Sequence, residues 1–251
     1  MVQATMVMAA KGLGKAFRQG EERIAALDGV SFGVERGTFT AVMGASGSGK
    51  TTLLNLLAGL LKPDAGRILL DGDDFSSLKD SERARLRRRR IGFVFQDYNL
   101  LPNLTLAENV RLPRLLDEAP EGAEGWSAEI VEFLGLGGRL KHLPSQLSGG
   151  ERQRAAIARA LMCDPRILIF DEATSALDVT VQKQIIELLQ QLQKEKSLAY
   201  LFICHNLALV QQFCDKVIVL YDGKIVEHGL PDEVILHPQS DYAKRLVDAI
   251  F

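Results

Sequence analysis

The chain has 251 residues, of which 47% are hydrophobic and 25% charged, ordinary proportions for a folded domain with a core of its own. Its net charge of −2 lacks the basic excess of a nucleic-acid binder, so no nucleic-acid partner is expected. No apolar run approaches the roughly 18–20 residues that cross a bilayer, and Met1–Ala10 has no basic segment ahead of an apolar stretch, so neither a span nor a signal peptide is expected. If the protein serves a membrane process, another chain crosses the bilayer. Cys163, Cys204 and Cys214 are odd in number and lack metal-ligand spacing, which fits reduced thiols in a cytosolic protein.

In chain order, the first forty residues are β-rich. Val30–Val34 alternates, Arg36-Gly37 turns, and Phe39–Met43 follows as a strand. Glycine-rich Gly44–Thr51 leads to a leucine-patterned helix over Thr52–Leu61, ended by Lys62-Pro-Asp-Ala-Gly66. Arg67–Leu70 and Asp71-Gly72 read as a short strand and turn. After Ile91–Phe95 the stretch Leu101–Leu147 sets Pro102, Pro113, Pro120 and Pro144 among helical patterns, which predicts a helical subdomain inserted into an α/β core. Ile167–Phe170 and Tyr200–Cys204 are short apolar runs suited to strands buried on both faces of a parallel sheet. Between them Val181, Ile185, Leu188, Leu189 and Leu192 mark one face of a helix, with Asp178 placed to cap it. Lys216–Tyr221, Asp222-Gly223 and Lys224–Glu227 read as a hairpin, and a last helix covers Asp241–Ile250.

Gly44-Ala-Ser-Gly-Ser-Gly-Lys50-Thr51 has the form G-x-x-x-x-G-K-[ST] between a predicted strand and a predicted helix. Phosphate oxygens need wrapping by backbone N–H groups, and glycine lets the backbone turn close to them. A helix starting near Gly49 points its positive end at the anion. Lys50 then reaches the β- and γ-phosphates, and the Thr51 hydroxyl binds Mg²⁺. Asp171-Glu172 ends the first of the two buried runs, where α/β sheets bind ligands. Asp171 can hold Mg²⁺ through water and Glu172 can polarise the attacking water. His205 ends the next strand and either contacts the γ-phosphate side of the site or simply faces solvent.

Ser148 and Glu151 in Leu147-Ser-Gly-Gly-Glu-Arg-Gln153 form a capping box ahead of a helix over Glu151–Met162. Gly149 and Gly150 are poor helix residues that a cap does not need. They make sense if the helix start stays bare for an anion.

At these residues the chain resembles the ABC ATPases, over nearly its whole length. Leu147–Gln153 is similar to their signature motif, Gly44–Thr51 to the Walker A loop and Ile167–Glu172 to the Walker B strand. Gln96 matches the Q-loop glutamine that senses Mg²⁺ and the membrane partner, Ser175-Ala-Leu-Asp178 the D-loop, and His205 the switch histidine. Phe17 lies about where the family has an adenine-stacking aromatic, usually tyrosine. Asn206 and Ala173 depart from the common aspartate and proline without removing a catalytic group. The resemblance implies one phosphate-loop NTPase domain over 1–251, with an N-terminal antiparallel β subdomain, a core of about 1–96 and 163–251 and a helical subdomain of about 97–162. It implies ATP and Mg²⁺ as cofactors. ATP would be bound by Phe17, Gly44, Ala45, Ser46, Gly47, Ser48, Gly49, Lys50, Thr51, Thr52 and Gln96, with Ser148, Gly149 and Gly150 supplied by a second chain. Thr51, Gln96 and Asp171 would serve the metal, and Glu172 and His205 the chemistry. It implies two cassettes sandwiching two ATP molecules, as a homodimer or a paired cassette, on the inner face of the cell membrane beneath an integral membrane subunit.

Subfamily signals divide. Phe93–Val110 and the arginines before it are similar to lipoprotein-releasing and macrolide-exporting cassettes. Ala176–Gln182, Tyr221–Glu227 and His237–Tyr242 are similar to peptide and nickel importers. The segment after Gln96 is where the family meets its membrane partner, which tilts the reading towards export or lipoprotein release, with an importer or a non-transport ABC ATPase as alternatives. Arg87–Arg90 is a solvated basic helix end, or touches anionic headgroups.

Overall fold

The computed structural model of the chain describes residues 6–20, 22–116, 124–172, 179–204 and 206–248. Two sheets organise it. The first is antiparallel, in the order β2-β1-β4-β5, formed by β1 (Met6–Gln19), β2 (Glu22–Glu35), β4 (Ala65–Leu70) and β5 (Asp73–Asp74). The second has the order β10-β9-β3-β8-β7-β6, with β3 (Phe39–Met43), β6 (Ile91–Val94), β7 (Ile167–Phe170), β8 (Ala199–Ile203), β9 (Lys216–Tyr221) and β10 (Lys224–Gly229). Its strands are parallel except for β10, which returns antiparallel on β9.

Every residue of β3, β7 and β8 is buried, because both faces of this sheet are covered. Alternate side chains feed separate cores. Phe39, Met43, Phe170, Tyr200 and Phe202 join one core with helices α5 (Gly149–Leu161) and α6 (Val179–Lys196). Val42, Ile169, Leu201 and Ile203 join the other with α1 (Lys50–Leu57) and the antiparallel sheet. This is the phosphate-loop α/β architecture with an antiparallel β layer.

The first helix is displaced from its predicted span of Thr52–Leu61. It begins at Lys50 and ends at Leu57 because Gly59, at φ 66°, turns the chain into the left-handed region. The Leu60 and Leu61 amides close back on the Asn55 carbonyl. Two arginines of α2 (Asp80–Arg90) fasten that turn, Arg83 Nε and Arg87 Nη1 each donating to the Gly59 carbonyl at 3.1 Å. Arg87 is therefore turned inward and not offered to a lipid surface.

Between β6 and β7 lie α3 (Leu106–Leu115), α4 (Glu124–Phe133) and α5. Thr105 and Glu108 cap α3 reciprocally. The fully buried Asn109 sews the preceding segment down, accepting from Leu101 N and donating to the Leu101 and Leu104 carbonyls. α5 packs against α3, α4, α6 and β6. After β8 come α7 (Leu207–Phe213), the β9–β10 hairpin, α8 (Pro231–Leu236) and α9 (Asp241–Asp248). The hairpin turn holds Asp222 and Gly223 at φ 47° and 72°, the left-handed pair that a two-residue turn requires. Asp178 lies outside the described residues.

Candidate functional site

Because β3, β8 and β7 are adjacent and parallel, the segments leaving their carboxyl ends emerge at one edge of the sheet. From β3 comes Gly44–Thr51, from β7 Asp171-Glu172, and from β8 Cys204. His205 follows but lies outside the described residues, as do Ala173 and Ser175–Asp178.

The 44–51 loop is left-handed at three glycines, Gly44 (φ 151°), Gly47 (φ 80°) and Gly49 (φ 103°). A Cβ on Gly44 would strike the Leu220 carbonyl, and one on Gly49 the Ala26 carbonyl, so neighbouring backbone makes glycine necessary at both. Gly49 is also the residue from which α1 starts. Lys50 is buried, and its ammonium donates to the Gly44 and Ala45 carbonyls at 2.8 and 2.7 Å. Ser46, Gly47, Gly49, Lys50, Thr51, Thr52 and Glu172 share the wall of a cavity of about 240 Å³. Ser48, between them in the loop, is buried.

The electrostatics of this cavity are lopsided. Burial pushes the Asp171 carboxyl above its ordinary value, the neighbouring Glu172 pushes it further, and Lys50 pulls it back only in part. Burial lowers the Lys50 ammonium, against the pull of Glu172 and Asp171. Two carboxylates thus face one ammonium in a poorly solvated place, an excess of negative charge that a cation would offset. Among the described residues no cluster of His, Cys, Asp and Glu could hold a metal by itself. A hydroxyl and a carboxylate, Thr51 and Asp171, remain as hard oxygen donors suited to Mg²⁺ completing its shell with water and phosphate oxygens. Glu172 has φ 49°, left-handed and unusual for a residue with a side chain, at a cost of about 1–2 kcal/mol. This conformation sets its place in the cavity wall.

The other candidates stand apart from the cavity. Phe17 lies on β1 paired with Ile24, 43% exposed, with the Lys15 ammonium 5.9 Å from its ring centroid. Its open face suits stacking on a base. Phe17→Ala should weaken ATP binding by about 1–3 kcal/mol and Phe17→Trp should preserve it, as read by nucleotide titration; equal affinity in the alanine variant moves the adenine platform elsewhere. Gln96 is exposed in the turn after β6. That turn continues through Tyr98 and Asn99, both at positive φ, and Arg159 of α5 grips it by donating to the two carbonyls.

Ser148 caps α5. Its hydroxyl accepts from Glu151 N at 3.2 Å, and Glu151 accepts from Ser148 N at 2.8 Å. Arg139 holds the same carboxylate at 2.7 Å. The Ser148 bonds and then Arg139 pull the Glu151 pKa down to about 2. The box uses the amides of 148 and 151, and the described residues supply no acceptor for those of 149 and 150. Gly150 has a further reason to be glycine that an anion does not supply. A Cβ there would come within 2.9 Å of a Val181 methyl on α6.

Two supports of the loop were not legible in the sequence. Gly223 N, in the hairpin turn, donates to the Ser48 carbonyl at 3.1 Å. Ala45 N donates to the Tyr242 hydroxyl of α9 at 2.7 Å, across 197 residues. No local pattern could have paired them.

The profile of the ABC transporter family matches residues 27–175. The methionine import ATP-binding protein MetN of Caulobacter vibrioides is 45% identical over 223 residues, 88% of this chain and 67% of that one. MetN of Escherichia coli is 40% identical over 236 residues, 94% of this chain and 68% of that one. Among solved structures, the ATP-binding cassette MJ0796, in a dimeric post-hydrolysis state bound to ADP and Pi, aligns with a TM-score of 0.81 at 37% identity, covering 89% of this chain and 98% of that one. The cbiO1 protein of Clostridium perfringens, part of the ABC transporter complex cbiONQ, aligns with a TM-score of 0.83 at 30% identity, covering 93% and 92%. A phosphate loop, an acid pair at the end of a parallel strand two places along the same sheet and a capped glycine start to α5, in a chain with these relatives, have one common owner: the protein belongs to the ABC transporter family, as its ATP-binding, ATP-hydrolysing subunit.

Proposed function

We propose that this chain drives import, with methionine as cargo, through a separate membrane-spanning subunit. The carrying observation is likeness to MetN at 39–45% identity over 88–96% of the chain. That likeness outweighs the lean to export, which rested on the short segment 93–110. In this reading the chain works in pairs on the inner face of the cell membrane. No helix among the described residues is long and apolar enough to cross a membrane, so the partner provides the passage.

The chemistry falls to the cavity. Amides of 46–52 wrap the phosphates, Lys50 leaves the loop carbonyls to neutralise the β- and γ-oxygens, and Phe17 stacks on adenine. Thr51 and Asp171 would hold Mg²⁺, with Gln96 closing from the β6 end. When bound, the ion neutralises phosphate charge. Glu172 orients the attacking water and takes its proton, and His205 contacts the γ-phosphate. Gly149 and Gly150 of a second copy offer their amides to that phosphate, with Ser148 beside them. The docking face for the membrane subunit is the groove of about 360 Å³ between α2, β6 and α3, walled by Phe93, Phe95 and Pro113 and rimmed by Leu60 and Leu101, 46% and 45% exposed.

The test is uptake. Vesicles carrying this chain with its membrane subunit, ATP on the cassette side, should accumulate external methionine. Net movement the other way would overturn import. Lys50→Ala should abolish uptake and weaken ATP binding at least about tenfold, since hydrogen bonds to charged groups contribute roughly 1.5–3 kcal/mol. Equal affinity by calorimetry would remove the phosphate-loop reading.

A further inference from the structure

Helix α9 reaches the start of the phosphate loop, and its contact is specified at several levels. Tyr242 accepts a hydrogen bond from Ala45 N at 2.7 Å. Its ring stacks on Tyr221, with centroids 4.2 Å apart and planes at 28°. Tyr221 is the last residue of β9, directly after Leu220, whose carbonyl lies against Gly44. The turn that launches α9 is also fixed. Glu227 of β10 accepts from Gln239 N, Ser240 N and the Ser240 hydroxyl at 2.8–2.9 Å. The phenol is therefore aimed by two strands and a helix start.

We propose that Tyr242 is a positioning residue for nucleotide binding, acting through Ala45 to hold the phosphate loop in its phosphate-ready shape. A loop with glycine at 44, 47 and 49 has much conformational freedom to lose when it closes on an anion. Fixing the Ala45 amide in advance reduces that loss, so affinity rises without any new contact to the ligand. The inference rests on ATP binding at this loop, and it makes the fit of α9 a determinant of ATP affinity.

Tyr242→Phe keeps the ring stack and deletes the acceptor. In the 251-residue chain, titration with MgATP should show affinity falling three- to tenfold. The KM for ATP should rise by the same factor and kcat stay within twofold. Tyr242→Ala, which also loses the stack on Tyr221, should fall further. Tyr200→Phe is the comparison, since it deletes a buried tyrosine bond to the Leu189 carbonyl within the core. It should lower the melting temperature and leave ATP affinity alone. Affinity within twofold of the parent in Tyr242→Phe, with Lys50→Ala impaired, overturns the role of Tyr242 and spares the site. An equal loss in Tyr200→Phe also overturns it, by reducing the effect to general stability. Unchanged affinity in both Tyr242→Phe and Lys50→Ala removes the nucleotide from the loop, and this inference with it.

Discussion

Glu172→Gln should bind ATP at least as tightly as the parent while turning over at least a hundredfold more slowly. A positioned general base contributes about 10²–10⁴ in rate, and the amide keeps the shape without accepting the proton. Tight binding follows from the charge arrangement. Asp171 is buried beside the like charge of Glu172, which adds to the cost of its charged form, and both carboxylates oppose an incoming phosphate. Removing one relieves Asp171, whose carboxyl should move back towards its ordinary value. The variant should therefore accumulate as an ATP-bound dimer, visible by size-exclusion chromatography with ATP. Turnover within tenfold of the parent would assign the base elsewhere.

Gly149→Asp should abolish ATP-dependent pairing and leave nucleotide binding by the single chain intact. A carboxylate at the first turn of α5 would sit where the partner copy's γ-phosphate is proposed to dock. Two unit charges 4 Å apart repel by about 4 kcal/mol at an effective dielectric of 20, roughly a thousandfold in the pairing constant. An acidic side chain at a helix start favours the helix, so misfolding does not explain the loss. Position 150 is the wrong place for this experiment, because any side chain there meets Val181 before it meets a ligand. Sedimentation with ATP gives the reading. Pairing as strong as the parent's would end the shared-site scheme.

What the sequence made legible, and what it hid, divides along physical lines. β7 and β8 could be read because strands covered on both faces must be apolar at every position. The turn at 222–223 could be read because its left-handed pair restricts residue choice. The end of α1 is hidden from the sequence pattern because Gly59 sits in a leucine run, and the two arginines that secure its turn come from a later helix. Gly150 was read from its neighbours in the chain as an anion contact, but Val181, thirty-one residues later, also decides it. The hold of Tyr242 on Ala45 and of Gly223 on Ser48 belongs to tertiary structure alone.

The grip of Arg159 on the turn at 98–99 also has a mechanical meaning. α5 is one uninterrupted helix from Gly149 to Leu161. Ten residues separate Arg159 from Gly149, about 15 Å of stiff rod at 1.5 Å per residue. At one end the guanidinium holds the wall of the groove, and at the other lie the two spare amides. A push of an ångström on Tyr98 and Asn99 cannot be absorbed by bending so short a helix. It should reappear as a shift or tilt at Gly149, so that the groove and the glycine pair would move as the two ends of a single crank.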